Sequence, residues 1–313
     1  MPRKANIVAV LSFLVLGCAS SHAIRNDQRL FAFHSGFWLN LHHFARAVGR
    51  GMPAGGTLTP SEREAWDAAV KLYRERYVNR DLVFDDGMVA IKEALRLTPD
   101  TAEPNAPALD AELQAALKGA APVYRAHWWP QHDEMNQRWI RDAEPLVKAH
   151  GAEISRRVAA AFGVTWPAAP IPIDLSVTAG PVGAYTTRPV ATTIASTDPN
   201  IRGLASLELL FHEPSHAWGT ILQKSIATAA AAHHKTVPPQ LWHAVLFYNA
   251  GEITRRVLAE HGVPGYVEHA VVQKVYPDLC GDGCREKVVA AWDPRLAGKV
   301  SVDEALDKLV AAW

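Results

Sequence analysis

Leu209–Gly219 reads LLFHEPSHAWG. His212 and His216 stand four apart, so on a helix they lie one turn apart on the same face and reach a common point. Glu213 is rotated by about 100° from His212, which sends its carboxylate beside that point rather than onto it. A hydrolytic zinc centre needs nitrogen ligands for the ion and a base for the water it activates, and these three residues supply both. Pro214 opposes a plain helix here. It has no N–H for the carbonyl of Leu210, and inside a helix that costs about 3 kcal/mol. A kink lowers the cost, and zinc binding outweighs it.

Outward from this stretch, a helix starting at Ser196 or Asp198-Pro199 is expected to run through LASLELLFHEPSHAWGTILQKSIATAA, ending near Ala230. Before it, prolines bound three β-rich runs, IDLSV (173–177), GAYTT (183–187) and VATTIAS (190–196). After it, the linker HHKTVPP leads to a second long helix, QLWHAVLFYNAGEITRRVLAEH, stopped by Gly262. Its apolar stripe of Leu241, Val245, Tyr248 and Ala259 includes Glu252. A carboxylate on a buried face is costly unless a cation offsets it. Glu252 is therefore the expected third metal ligand, with pairing to Arg255 or Arg256 as the alternative. Tyr248, one turn earlier, is the expected donor to a developing oxyanion. His233 and His234 are rival ligands, whereas His243 lies on the side opposite Glu252 and is not expected at the metal.

FHEPSHAW followed by a helix carrying NAGE resembles the gluzincin branch of zinc metallopeptidases. The resemblance covers about Ile171 to His261. It implies zinc as cofactor, His212, His216 and Glu252 as ligands, Glu213 as general base and acid, and a peptide or other amide as substrate. A non-catalytic envelope lipoprotein with a structural or vestigial metal site is the competing reading.

The N-terminal half reads as helix. TPSEREAWDAAVKLYRERY opens with Thr59 as N-cap, Pro60 at the first position and Glu62 closing a capping box. SGFWLNLHHFARAVG and AELQAALKGAA are further helices around the connector Leu97–Asp110, and helical periodicity from Asn136 to Phe162 is interrupted near Glu144-Pro145. His34, His42, His43, His127, His132 and Asp133 sit among aromatics; lining a substrate cleft or orienting a ligand is one use of such groups, and capping and core hydrogen bonding is the more ordinary one. The fold class is mainly α with a small β-sheet (α+β), in a helical region 24–165 and a zincin-like metal-binding region 166–313. Whether the two form one compact domain is open.

Met1–Lys4 is basic and IVAVLSFLVLGCAS is apolar, as in a signal peptide spanning 1–23. Val15-Leu16-Gly17-Cys18 resembles a bacterial lipobox with lipid attached at Cys18, whereas SSHA before Ile24 suits ordinary cleavage. Either ending implies export, to periplasm or outer membrane in a bacterium, or beyond the cell. Cys280 and Cys284, in LCGDGCRE, then read as a disulfide-closed loop. Lys plus Arg and Asp plus Glu number 32 each, so no net field attracts nucleic acid, and membrane contact is expected only through the lipid anchor. The ten tryptophans are expected mainly in the core.

Overall fold

A computed structural model describes residues 29–180 and 183–313. The expected signal segment, including Cys18, lies outside the described residues. The described chain is mainly helical with a small mixed sheet, as expected for α+β.

Four strands form the sheet: β1 (Phe31–His34), β2 (Ile171–Ser176), β3 (Ala184–Thr187) and β4 (Ala191–Ala195). Their order is β1-β2-β4-β3, with the first two pairings parallel and β3 antiparallel to β4 at the edge. The last three match the β-rich runs between prolines. β1 was not expected; FAFH is too short to show an alternation, and its pairing with β2 is what makes it a strand. Because β1 comes from the N-terminal region, both regions read from the sequence contribute to one sheet.

Helices α1 (Phe37–Gly49), α2 (Pro60–Arg76), α3 (Asp86–Leu97) and α4 (Ala111–His127) enclose one core around Phe44, Trp66, Tyr73 and Tyr124. The Thr59–Glu62 capping box forms at the start of α2. α5 (Trp129–Ala161) runs unbroken through Pro145, correcting the expected interruption. It packs with the sheet, α6 (Leu204–Ser215) and the end of α8 (Leu241–Glu260) around Ile154, Ile173, Phe211 and Val257. A third core joins α7 (Gly219–Ala232) and α8 to α10 (Val275–Cys280), α11 (Cys284–Leu296) and α12 (Val302–Ala311) through Leu246, Trp292 and Leu309. α9 (His269–Val272) lies between α8 and α10 in sequence. Cys280 and Cys284 are bonded, with Cα atoms 5.5 Å apart. Trp38, Trp66, Trp128, Trp139 and Trp292 are buried, consistent with core use.

The sheet's two faces differ in chemistry. The row His34–Asp174–Thr193–Tyr185 runs across all four strands on the face toward α1 and α3, where Arg96 bonds Asp174 and His43 meets Tyr185. The adjacent row, Phe33–Ile173–Thr192–Thr186, faces the other way, toward α6. α6 thus lies beneath the sheet with its second half ready to present side chains at β3.

Candidate metal centre

The long helix expected from Ser196 to Ala230 is divided. A 3-10 turn at Pro199–Ile201 precedes α6, a second at His216–Trp218 follows it, and α7 begins at Gly219. Pro214 falls in the last turn of α6, where the helix is already ending, so it disrupts little. Ser215 Oγ donates to the Phe211 carbonyl at 2.6 Å and satisfies one acceptor of that turn. The tightened turn still keeps the two histidines together: His212 Nε2 and His216 Nε2 are 3.3 Å apart.

The third group is His243, in the first turn of α8. Its Nε2 lies 3.3 Å from His212 Nε2, and one nitrogen of each of the three rings falls within 4.8 Å of the others. Hydrogen bonding alone explains this poorly. A neutral imidazole nitrogen is either one donor or one acceptor, yet His212 Nε2 has two nitrogen neighbours at a distance beyond the usual range. Two nitrogens on a tetrahedral zinc, each about 2.0–2.1 Å from the ion, are about 3.3 Å apart. The donor set therefore suits a metal ion in type and number, and two of its three spacings suit zinc.

The surroundings hold the His212 and His243 rings neutral. Burial and the neighbouring His216 push His212 well below the ordinary histidine range, and burial lowers His243 to about 3. Neutral imidazole is the form that binds metal. Phe247, one turn beyond His243, stacks on His212 with ring centroids 3.8 Å apart, and Trp242 stacks on His243 at 5.0 Å. His212 Nδ1 is buried without a well-formed hydrogen bond; the Leu246 backbone is its polar neighbour.

Glu213 is buried, and its Oε2 accepts from Thr186 Oγ1 at 2.9 Å. Thr186 Oγ1 is also 2.9 Å from Thr192 Oγ1. With one hydrogen on each hydroxyl, Thr186 donates to the carboxylate and accepts from Thr192. Oε1 has no protein donor among the described residues and remains available for a ligand.

Two expected site residues lie elsewhere. Glu252 is nine residues beyond His243, which is two and a half turns and the opposite face of α8. There it accepts from Arg255 (2.8 and 2.6 Å) and Arg256 (2.7 Å), the alternative that the spacing allowed. Burial opposes its charge, but the two guanidinium groups hold its carboxyl below the usual range. Glu252 is not the third ligand. Tyr248 donates to Asp293 Oδ1 at 3.0 Å and packs in the third core, about 140° round the helix from His243, so it is no oxyanion donor at this centre. His233 pairs with Asp307 at 2.7 Å and also takes no part. The N-terminal histidines are hydrogen-bonded within the fold: His42 to Tyr73, His43 to Tyr185, His127 to Glu62 and His132 to Tyr124.

Sequence reasoning missed His243 because α8 is apolar nearly all round, so its stripe could be drawn on the wrong face. The available signal was the aromatic pair His243 and Phe247 at helical spacing. Two cavities, of about 220 Å³ beside Trp139 and Arg202 and about 400 Å³ beside Arg46 and Tyr185, are lined by none of the three histidines. The centre is approached over the half-buried rings of His216 and His243. Compared with known proteins, the chain matches no family model, no curated protein and no solved structure.

Proposed function

We propose that this protein is a zinc-dependent hydrolase acting on a peptide or related amide, with His212, His216 and His243 as ligands and Glu213 as the proton carrier. The observation that carries the reading is the pair of 3.3 Å separations among three imidazoles, one of them next in sequence to the buried Glu213. Zinc held by three nitrogens supplies Lewis acidity toward water and a carbonyl oxygen. Three protein donors, rather than four, is the number found where one coordination position serves the reaction. Glu213 is held through Oε2 by Thr186, so its Oε1 takes a proton from the attacking water and returns it to the leaving amine. Phe247 stacks on the His212 ring, which keeps its Nε2 directed at the other two rings.

Elemental analysis of protein purified without chelator is expected to give about one zinc per chain. His243→Ala should lose it, while Glu252→Ala should keep it; the reverse pattern would overturn the ligand assignment. Glu213→Gln should retain zinc and fold but abolish turnover of a peptide library. If it retains turnover, the proton-carrier role is wrong, and if the parent protein turns over nothing, a structural site is the better account.

The proposal includes export, from the basic start and apolar run that end at Gly17-Cys18. Cell fractionation should find the protein with membranes and find Cys18→Ser released from them. A soluble parent protein beginning at Ile24 would show ordinary cleavage instead.

A further inference from the structure

We infer that the cavity between the C-terminal end of α1, the segment 77–83 and β3 binds a small organic oxyanion, one bearing a carboxylate or phosphate group. The cavity measures about 400 Å³ and is lined by Arg46, Arg50 and Arg80 together with Asn79, Asp81 and Tyr185. The three arginines are not equivalent. Arg80 is paired with Asp85 through two hydrogen bonds of 2.8 and 2.6 Å. No carboxylate lies within salt-bridge distance of Arg46 or Arg50 among the described residues.

Arg46 is the unusual member. It is only 4% exposed, and buried charges are as a rule paired. Its Nε and Nη2 donate to the carbonyls of Tyr77, Val78 and Arg80, which fastens the 77–80 backbone to α1. These bonds use three of the five guanidinium hydrogens and leave both on Nη1 without a hydrogen-bond partner among the described residues. Carbonyl dipoles solvate the charge but do not neutralise it. Arg50, one turn on, makes a single 3.4 Å contact to the Val78 carbonyl and adds a second positive charge beside the first. The one carboxylate lining the cavity, Asp81, uses Oδ1 to cap the Val83 and Phe84 N–H groups at 2.7 and 2.8 Å. A cavity that offers free guanidinium donors and a net positive charge selects an oxyanion, which such forks bind in a bidentate manner. This site lies on the face of the sheet opposite Glu213, and it does not depend on the zinc reading.

The test is calorimetric titration of the full protein with inorganic phosphate and, separately, with succinate, at fixed ionic strength against sodium chloride. Saturable one-to-one binding is expected for at least one of the two anions, and the preferred one identifies phosphate or carboxylate as the natural group. Arg50→Gln should weaken binding at least about ten-fold without affecting the fold, because it removes charge-assisted bonds from an exposed side chain. Arg46→Lys keeps the charge but loses the fork, and should weaken binding further; if it does not fold, Arg50→Gln alone decides. Chelator-treated protein should bind the anion as before. The proposal is overturned if neither anion binds saturably, if chloride competes as well as either, or if Arg50→Gln binds like the parent.

Discussion

Glu213 and Glu252 are both buried carboxylates on long helices, and their partners separate their roles. Glu252 is neutralised by two arginines, so its removal is a stability matter; with both arginines partly exposed, the loss is about 1–2 kcal/mol. Glu213 accepts from the Thr186 hydroxyl and pairs with no cation among the described residues, which leaves one oxygen free. Thr186 therefore positions the carboxylate rather than neutralising it. Thr186→Val is expected to leave zinc content unchanged and to lower kcat about ten-fold with little change in KM, since only the hydrogen bond that aims Glu213 is lost. Thr186→Ser should restore most of the rate. Equal kcat in the valine and parent proteins would remove Thr186 from the mechanism.

Among the elements, the join between α6 and α7 decides whether the three rings meet. α7 begins at Gly219, where a Cβ would stand 2.8 Å from the Trp242 ring, and Trp242 in turn stacks on His243. Gly219→Ala should displace Trp242, cost about 1–3 kcal/mol in denaturant unfolding and weaken zinc binding through His243. A destabilised variant with unchanged zinc affinity would show that the stack does not orient the ring. The same junction shows what could be read beforehand. The spacing of His212 and His216, the capping box at Thr59 and the three β-rich runs between prolines are local patterns, and each appears where it was expected. The break after Pro214 was legible as strain but not as a change of helix. His243 was not legible, because a helix buried on most sides has no polar face against which to orient it. β1 and the continuity of α5 depend on partners far along the chain, which local periodicity does not register.

At the scale of the molecule, buried ionisable groups give stability two opposed dependences on pH. Burial pushes Glu208, on α6, up to about 7, although it accepts from Tyr266 Oη at 2.6 Å and the His269 N–H at 3.0 Å. Between about 4.5 and 7 the folded state holds this proton while the unfolded state has lost it, so stability falls as pH rises, by up to about 3 kcal/mol. His42 and His43 act in the other direction. Burial keeps both neutral, His42 down to about 3, so stability falls as pH drops below 6.5. Glu208→Gln isolates the first effect: its amide oxygen still accepts both bonds, and it carries no charge at any pH. Relative to the parent, it should gain stability from pH 5 to about pH 7 and level off by pH 8 in urea unfolding. A difference that stays constant over that range would mean Glu208 is ionised throughout.

The parallel pairing of β1 with β2 joins Phe31 to Ile171, about 140 residues later. Synthesis at about 5–20 residues per second separates the two strands by roughly 7–30 s. In that interval α1 to α4 can close their own core, while Phe31 and Phe33 wait as an unpaired strand. Such a strand is a ready template for wrong partners, so a holding chaperone during synthesis would find its natural target there. The three clustered imidazoles, His212, His216 and His243, lie later still in the chain, so they are not yet made while β1 waits for its partner. Nothing gathered at that cluster can then rescue a chain whose first strand has already gone astray.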